Sequence, residues 1–220
     1  LARGQVHEWF AVRPGGDTRP VTTAATWRPP MTVLAHLAGQ AASTAAEAGT
    51  GGVIAWVGHR VWPSPGFAAA RERLDQSIYL DPPDEASRLW TLEVLLRSPA
   101  ITAVVADGSG LSMAATRRLQ LAARSGRVLV LLARPEHELL SLSAAATRWT
   151  VEPVPTTRDH PEWRVSLRRC KAATGSASVG IGVGLAGRSR PQAGESAAAT
   201  DGPWRIHWNG TAVEMDTQDA

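Results

Sequence analysis

The chain has a single cysteine, Cys170, in 220 residues. This excludes an intramolecular disulfide and a cysteine-cluster zinc site. The longest unbroken apolar run, residues 128–133, is far too short to cross a bilayer as a helix. The N-terminus shows no basic-then-apolar leader, so no signal peptide is expected, and a cytoplasmic setting without membrane contact is. Six histidines are scattered without metal-ligand spacing, so no metal is expected. A net charge of only +3 does not demand a nucleic-acid partner.

Tyrosine and phenylalanine are scarce, one and two residues, against nine tryptophans. Trp9, Trp56, Trp90, Trp149 and Trp163 lie in regular segments and are expected to fill core. A stacking platform for bases is the alternative, but no basic–aromatic alternation accompanies them.

What is present is organised around residues 101–149. Two short, almost wholly apolar runs, 101–106 and 128–133, flank one amphipathic segment. Runs of that kind suit strands covered on both faces of a parallel sheet. Ser112 is placed to cap the intervening helix, and Gly126 stands where a left-handed C-cap is wanted. Strand, helix, strand makes a right-handed βαβ unit. Between Met113 and Pro135 come Arg117, Arg118, Arg124, Arg127 and Arg134, with no acid. They read as a solvated helix face with arginines at its ends, or as a face for anions or a partner.

Before this unit, residues 5–12 read as a first strand, 31–47 as an alanine-rich helix and 53–58 as a second strand. A short helix over 68–74 and a strand over 78–81 follow. Asp84 caps a helix over 85–97, whose Leu89, Trp90, Leu92, Val94 and Leu96 imply a wide, well-buried stripe. After the unit, 136–142 is a loop or turn of helix, and 148–152 and 163–168 pair as an antiparallel edge hairpin. Its basic end (Arg168, Arg169, Lys171) serves DNA contact or guards the edge against aggregation. Residues 172–202 are rich in glycine, alanine and serine and are expected to form a flexible linker. Residues 203–220 then form a small hairpin and tail, turning at Asn209-Gly210, with Trp204, Ile206 and Trp208 on one face. That face docks back on the domain or awaits a partner. The resulting division is 1–171, 172–202 and 203–220.

The runs Arg117-Arg118-Leu-Gln-Leu-Ala-Ala, Leu131-Leu-Ala-Arg134-Pro135, Ser143-Ala-Ala-Ala-Thr147-Arg148-Trp149 and Trp163-Arg-Val-Ser-Leu-Arg168-Arg169-Cys170 together resemble the ImuA family. These are RecA-fold accessory proteins of bacterial translesion-synthesis cassettes, and the resemblance covers roughly residues 1–171. It implies a RecA-like, mostly parallel sheet flanked by helices. It implies partners in RecA, an ImuB-like Y-family polymerase and an error-prone replicative-type polymerase, in SOS-induced lesion bypass. SulA-type inhibitors of septum formation, which bind FtsZ, share that core and supply the alternative. The Trp163 strand, linker and terminal hairpin exceed a minimal core of that type.

The resemblance also says where nucleotide chemistry would sit. A phosphate loop would follow the first strand as G-x-x-x-x-G-K-[ST]. Here Gly15 and Gly16 remain as turn formers, but no Lys-Ser/Thr pair follows; Asp17 and Thr18 come instead. Asp17 puts negative charge where phosphate would approach. The acid that would position water after the second strand is replaced by Gly58-His59-Arg60, leaving His59 as a base or a loop histidine. Asp107 stands where an acid would help hold magnesium, or survives as a relic bonding within its turn. The expectation is a degenerate, non-catalytic site without cofactor, in a protein that works by contact.

Overall fold

The computed structural model describes residues 1–14, 27–50, 52–64, 76–171, 203–208 and 213–215. The phosphate-loop residues Gly15, Gly16, Asp17 and Thr18, the helix expected over 68–74, the linker over 172–202 and the Asn209-Gly210 turn lie outside them.

In chain order the elements are β1 (Gln5–Ala11), α1 (Met31–Glu47), β2 (Val53–Val57), β3 (Ser77–Leu80), α2 (Glu85–Arg97), β4 (Ile101–Asp107), α3 (Met113–Gly126), β5 (Leu129–Arg134), β6 (Thr147–Val154), β7 (Glu162–Cys170), β8 (Trp204–Trp208) and β9 (Val213–Met215). The strands form one sheet in the order β3-β2-β4-β5-β1-β6-β7-β8-β9. Pairing is parallel from β3 through β6 and antiparallel from β6 through β9. The expected α/β class, a mostly parallel sheet flanked by helices with an antiparallel hairpin on the C-terminal side, is therefore what the chain adopts.

Strand alternation divides the core into two layers. Trp9, Ile54, Trp56, Val105, Leu131 and Trp149 face α1. Val6, Ala55, Val104, Val130 and Leu132 face α2 and α3. Burial of both strand faces is why 101–106 and 128–133 are uninterrupted apolar runs. On α1, Ala38, Ala42 and Ala45 are buried, and their small side chains let the helix axis approach the sheet.

The caps agree at two positions and differ at a third. Asp84 accepts a hydrogen bond from Ser87 N, and Ser112 from Ala115 N. Gly126, expected as the left-handed cap, is instead the last helical residue; Arg127 takes the left-handed conformation with φ 56°. Gly126 lacks a side chain for another reason: a Cβ there would run into the Leu96 carbonyl of α2.

The wide buried stripe on α2 is also corrected. Leu92 and Leu96 are buried and Leu89 packs partly beside them, but Trp90 is 67% exposed and Val94 49%. At about 100° per residue, Trp90 and Val94 project roughly 160–200° round the helix from Leu92, beyond what one sheet face covers.

The terminal strands settle where the last aromatic face goes. β8 pairs antiparallel with Glu162–Val165 of β7, so the β6–β7 hairpin is not the sheet edge along that half. Ile206 and Val213 are buried in the α1-side core, with Trp204 and Trp208 packed partly against it. The face docks on the sheet.

Candidate functional site

In an open α/β sheet, ligand crevices form beyond the carboxyl ends of the strands where the strand order reverses. Here β1 leads through α1 across the sheet to β2, whereas β5 leads the other way to β6. The reversal lies at the β1–β5 pair, with the end of β4 beside it.

Asp107 closes β4 there and is committed to its own turn. Its Oδ1 accepts from Ser109 N at 2.9 Å and from the Ser109 hydroxyl at 2.5 Å, and Arg60 Nε lies 3.4 Å from Oδ2. The turn is drawn tight. Gly58 has φ 93°, and a Cβ on it would stand 3.0 Å from the Asp107 Cβ. The Arg60 guanidinium also lies over Trp27, 5.3 Å from the ring centroid. His59 is exposed at the rim, 3.3 Å from Asp81.

Beside this turn is a buried ion cluster that sequence reasoning missed in part. Glu8, in the middle of β1, has no solvent exposure. Arg134 Nη1 lies 2.6 Å from its Oε1 and Arg148 Nε 2.6 Å from its Oε2. Arg134 also meets Glu138 at 2.6 Å. The Ser143 hydroxyl donates to Glu8 at 2.6 Å. Arg134 was expected among arginines of a solvated helix face or of a face for anions or a partner, and Arg148 stands in one of the runs that resemble the ImuA family. Both are buried instead, because β5 and β6 flank β1 and aim them inward at Glu8. Burial alone would lower the Arg134 pKa, but Glu8 and Glu138 outweigh it and hold it above the ordinary arginine value. The signal available was Glu8 itself, a lone acid in a strand otherwise covered on both faces, which must find cations.

The cluster also organises the loop after β5. Arg148 donates to the carbonyls of Leu139 and Glu138, and Arg134 to that of Leu111. This pins the 136–142 segment, a 3-10 turn continuing into a further turn at 139–140, over the sheet end. An open groove of about 450 Å³ lies between it and the start of α3, lined by Leu111, Met113, Arg134, Glu138 and Leu142.

The remaining predicted residues fall in separate places. Trp149 is fully buried and stacked on Trp9, centroids 5.4 Å apart. Trp163 is half-buried against the terminal strands. Arg168 is exposed. Arg169 donates to the carbonyls of Ser143 and Ala145; burial, then the Arg148 charge, lowers its pKa. Arg117, Arg118, Arg124 and Arg127 are exposed on or just beyond α3, with Arg118 Nε 2.7 Å from Glu93. Among the described residues no group of three or more His, Cys, Asp or Glu side chains is placed to hold a metal ion. Among them, too, no helix is long and apolar enough to cross a membrane.

Two curated proteins are similar to this chain in sequence. The chain is 33% identical over 138 residues to Protein ImuA of Caulobacter vibrioides. The match is the same in strains NA1000 / CB15N and ATCC 19089 / CIP 103742 / CB 15. It covers 55% of this chain and 57% of each ImuA protein, so the chain spans little more than half the length of the relatives it matches. No family model matches. The likeness to ImuA read from the Arg117, Arg134 and Thr147 runs is thus supported over about half the chain. The division-inhibitor alternative gains no support from these relatives.

Proposed function

We propose that the chain is an ImuA-like accessory factor in DNA-damage-induced translesion synthesis. In this reading it adopts a RecA-like fold but works by protein contact, with RecA and with an ImuB-like Y-family polymerase homologue, alongside an error-prone replicative-type polymerase. It acts in the cytoplasm and turns over no nucleotide. The observation that carries the reading is the 33% identity to Protein ImuA over 138 residues.

The geometry is compatible with it. Both oxygens of Asp107 are engaged by Ser109 and Arg60 rather than turned to an open crevice. The large exposed apolar side chains Trp90, Leu121, Leu140 and Leu142 are of the kind that protein contacts use.

The test is a parallel pull-down of the purified full chain against RecA, the ImuB-like polymerase and FtsZ, with duplex DNA as a further arm. Capture of RecA or the polymerase is the expected result. Capture of FtsZ alone, or of none of the proteins, overturns the reading. An ATPase assay with and without RecA checks the non-catalytic part; steady turnover would reverse it.

A further inference from the structure

α2 and α3 each lead from one parallel strand to the next, so they run side by side in the same direction on one sheet face. They touch where Gly126 meets Leu96, and Arg118 bridges to Glu93. Their outward faces carry Trp90, Val94 and Leu121, exposed 67%, 49% and 60%. Helical spacing inclines Trp90 toward α3 and Leu121 toward α2, so with Val94 these side chains share the outward surface of the pair, a seam lying on either side of the Arg118–Glu93 bridge.

The seam is ringed by positive charge. Arg117 and Arg124 stand one turn to either side of Leu121, Arg97 one turn beyond Val94, and Arg127 just past the end of α3. Among the described residues these four arginines pair with no acid. Glu93, beside the seam, is already matched by Arg118. The acids Asp84 and Glu85 lie at the far, N-terminal end of α2, where Asp84 serves as the cap.

We propose that this α2–α3 face binds an acidic amphipathic segment of a partner protein. Its apolar side would cover Trp90, Val94 and Leu121, and its carboxylates would meet Arg97, Arg117, Arg124 and Arg127. Tryptophan and arginine around an apolar centre are the side chains that dominate protein interfaces. An amphipathic helix laid across a two-helix seam is a recurring way to use them. A second copy of this chain fits worse, because a two-fold contact centred on Leu121 brings Arg117 and Arg124 of one copy against the same arginines of the other. Duplex DNA would satisfy the arginines but leave the apolar seam facing phosphates. The proposal goes beyond the lesion-bypass reading and holds whichever protein carries the segment.

The experiment titrates the full chain into a fluorescent synthetic amphipathic helix, leucines on one face and glutamates flanking them. The same helix with lysines in place of the glutamates, and a labelled DNA duplex, are the comparison probes; anisotropy is the readout. The acidic helix is expected to bind and the lysine helix to bind at least about tenfold more weakly. Trp90→Ala and Leu121→Ser should each weaken the acidic probe about tenfold, the scale of a significant interface truncation. The double variant Arg117→Glu/Arg124→Glu should lose the acidic helix and gain the lysine helix, a gain that only folded protein can show. Absence of binding, or binding indifferent to these substitutions, overturns the proposal. So does DNA binding that falls in the arginine variant but persists in Leu121→Ser, which assigns the face to nucleic acid.

Discussion

Arg134 Nη1 lies 2.6 Å from Glu8 Oε1, joining the end of β5 to the middle of β1 inside the protein. Arg148 takes the second oxygen of the same carboxylate, so one acid faces two guanidiniums from the strands on either side of it. The cluster closes only because Glu138, from the following loop, supplies the second acid.

Glu8→Gln should therefore cost about 3–5 kcal/mol, since it strands buried arginine charge. Urea unfolding measures the loss. Replacing the whole cluster, Glu8→Leu/Arg134→Met/Arg148→Met with Glu138→Gln, should recover most of it, because apolar isosteres of a buried ion cluster are often neutral or stabilising. The whole-cluster replacement also removes Arg148, whose bonds to the Glu138 and Leu139 carbonyls pin that segment, so amide exchange at residues 138–142 should quicken there and much less in Glu8→Gln.

The tryptophans divide sharply. Trp149→Ala removes a fully buried ring stacked on Trp9 and should cost about 3–5 kcal/mol. Trp90→Ala touches an outward-facing ring and should change stability by less than about 0.5 kcal/mol. Denaturant midpoints of the two variants, compared side by side, test this.

His7 is buried beside Thr147, its Nδ1 2.7 Å from the hydroxyl, and burial pushes its pKa down from 6.5 to about 4. The folded protein thus resists a proton that the unfolded chain accepts below pH 6.5. The His7 contribution to stability is complete above that pH and is lost as pH falls toward 4. Between pH 7 and pH 5 the loss should be about 2 kcal/mol. Repeating the urea series with His7→Gln should flatten that part of the profile.

The close of α3 offers a paired test. Gly126→Ala drives a methyl into the Leu96 carbonyl and should destabilise by about 1–3 kcal/mol through overpacking. Arg127→Gly relieves a left-handed backbone at a side-chain-bearing residue, a strain of about 1–2 kcal/mol. The added freedom of glycine in the unfolded chain offsets about 0.5–1 kcal/mol of that. A small net gain in melting temperature is expected for Arg127→Gly and a fall for Gly126→Ala.

Much of this architecture was legible in the chain. The 101–106 and 128–133 runs declared buried parallel strands, and Asp84 and Ser112 marked their helices correctly, because these signals act within a few residues. The misjudgements share a cause. Whether Trp90 on a good helix faces sheet or solvent depends on where the neighbouring layer stops. Whether Arg134 and Arg148 reach solvent depends on Glu8, which lies 126 and 140 residues away in sequence. Gly126 looked like a cap from local pattern alone, although its real constraint is a carbonyl on another helix.

By itself the sequence determined the order and kind of most of the described elements, the parallel character of the central sheet and the likeness to ImuA. All of these rest on periodicity, caps and short runs read along one chain. Only the tertiary structure decided which arginines are sealed in and which stand outside, and that the terminal aromatic face completes the sheet. It also decided that Trp90, Val94 and Leu121 stand exposed on α2 and α3 among arginines. Those outcomes depend on strand order and helix packing, which bring together residues that no local pattern connects.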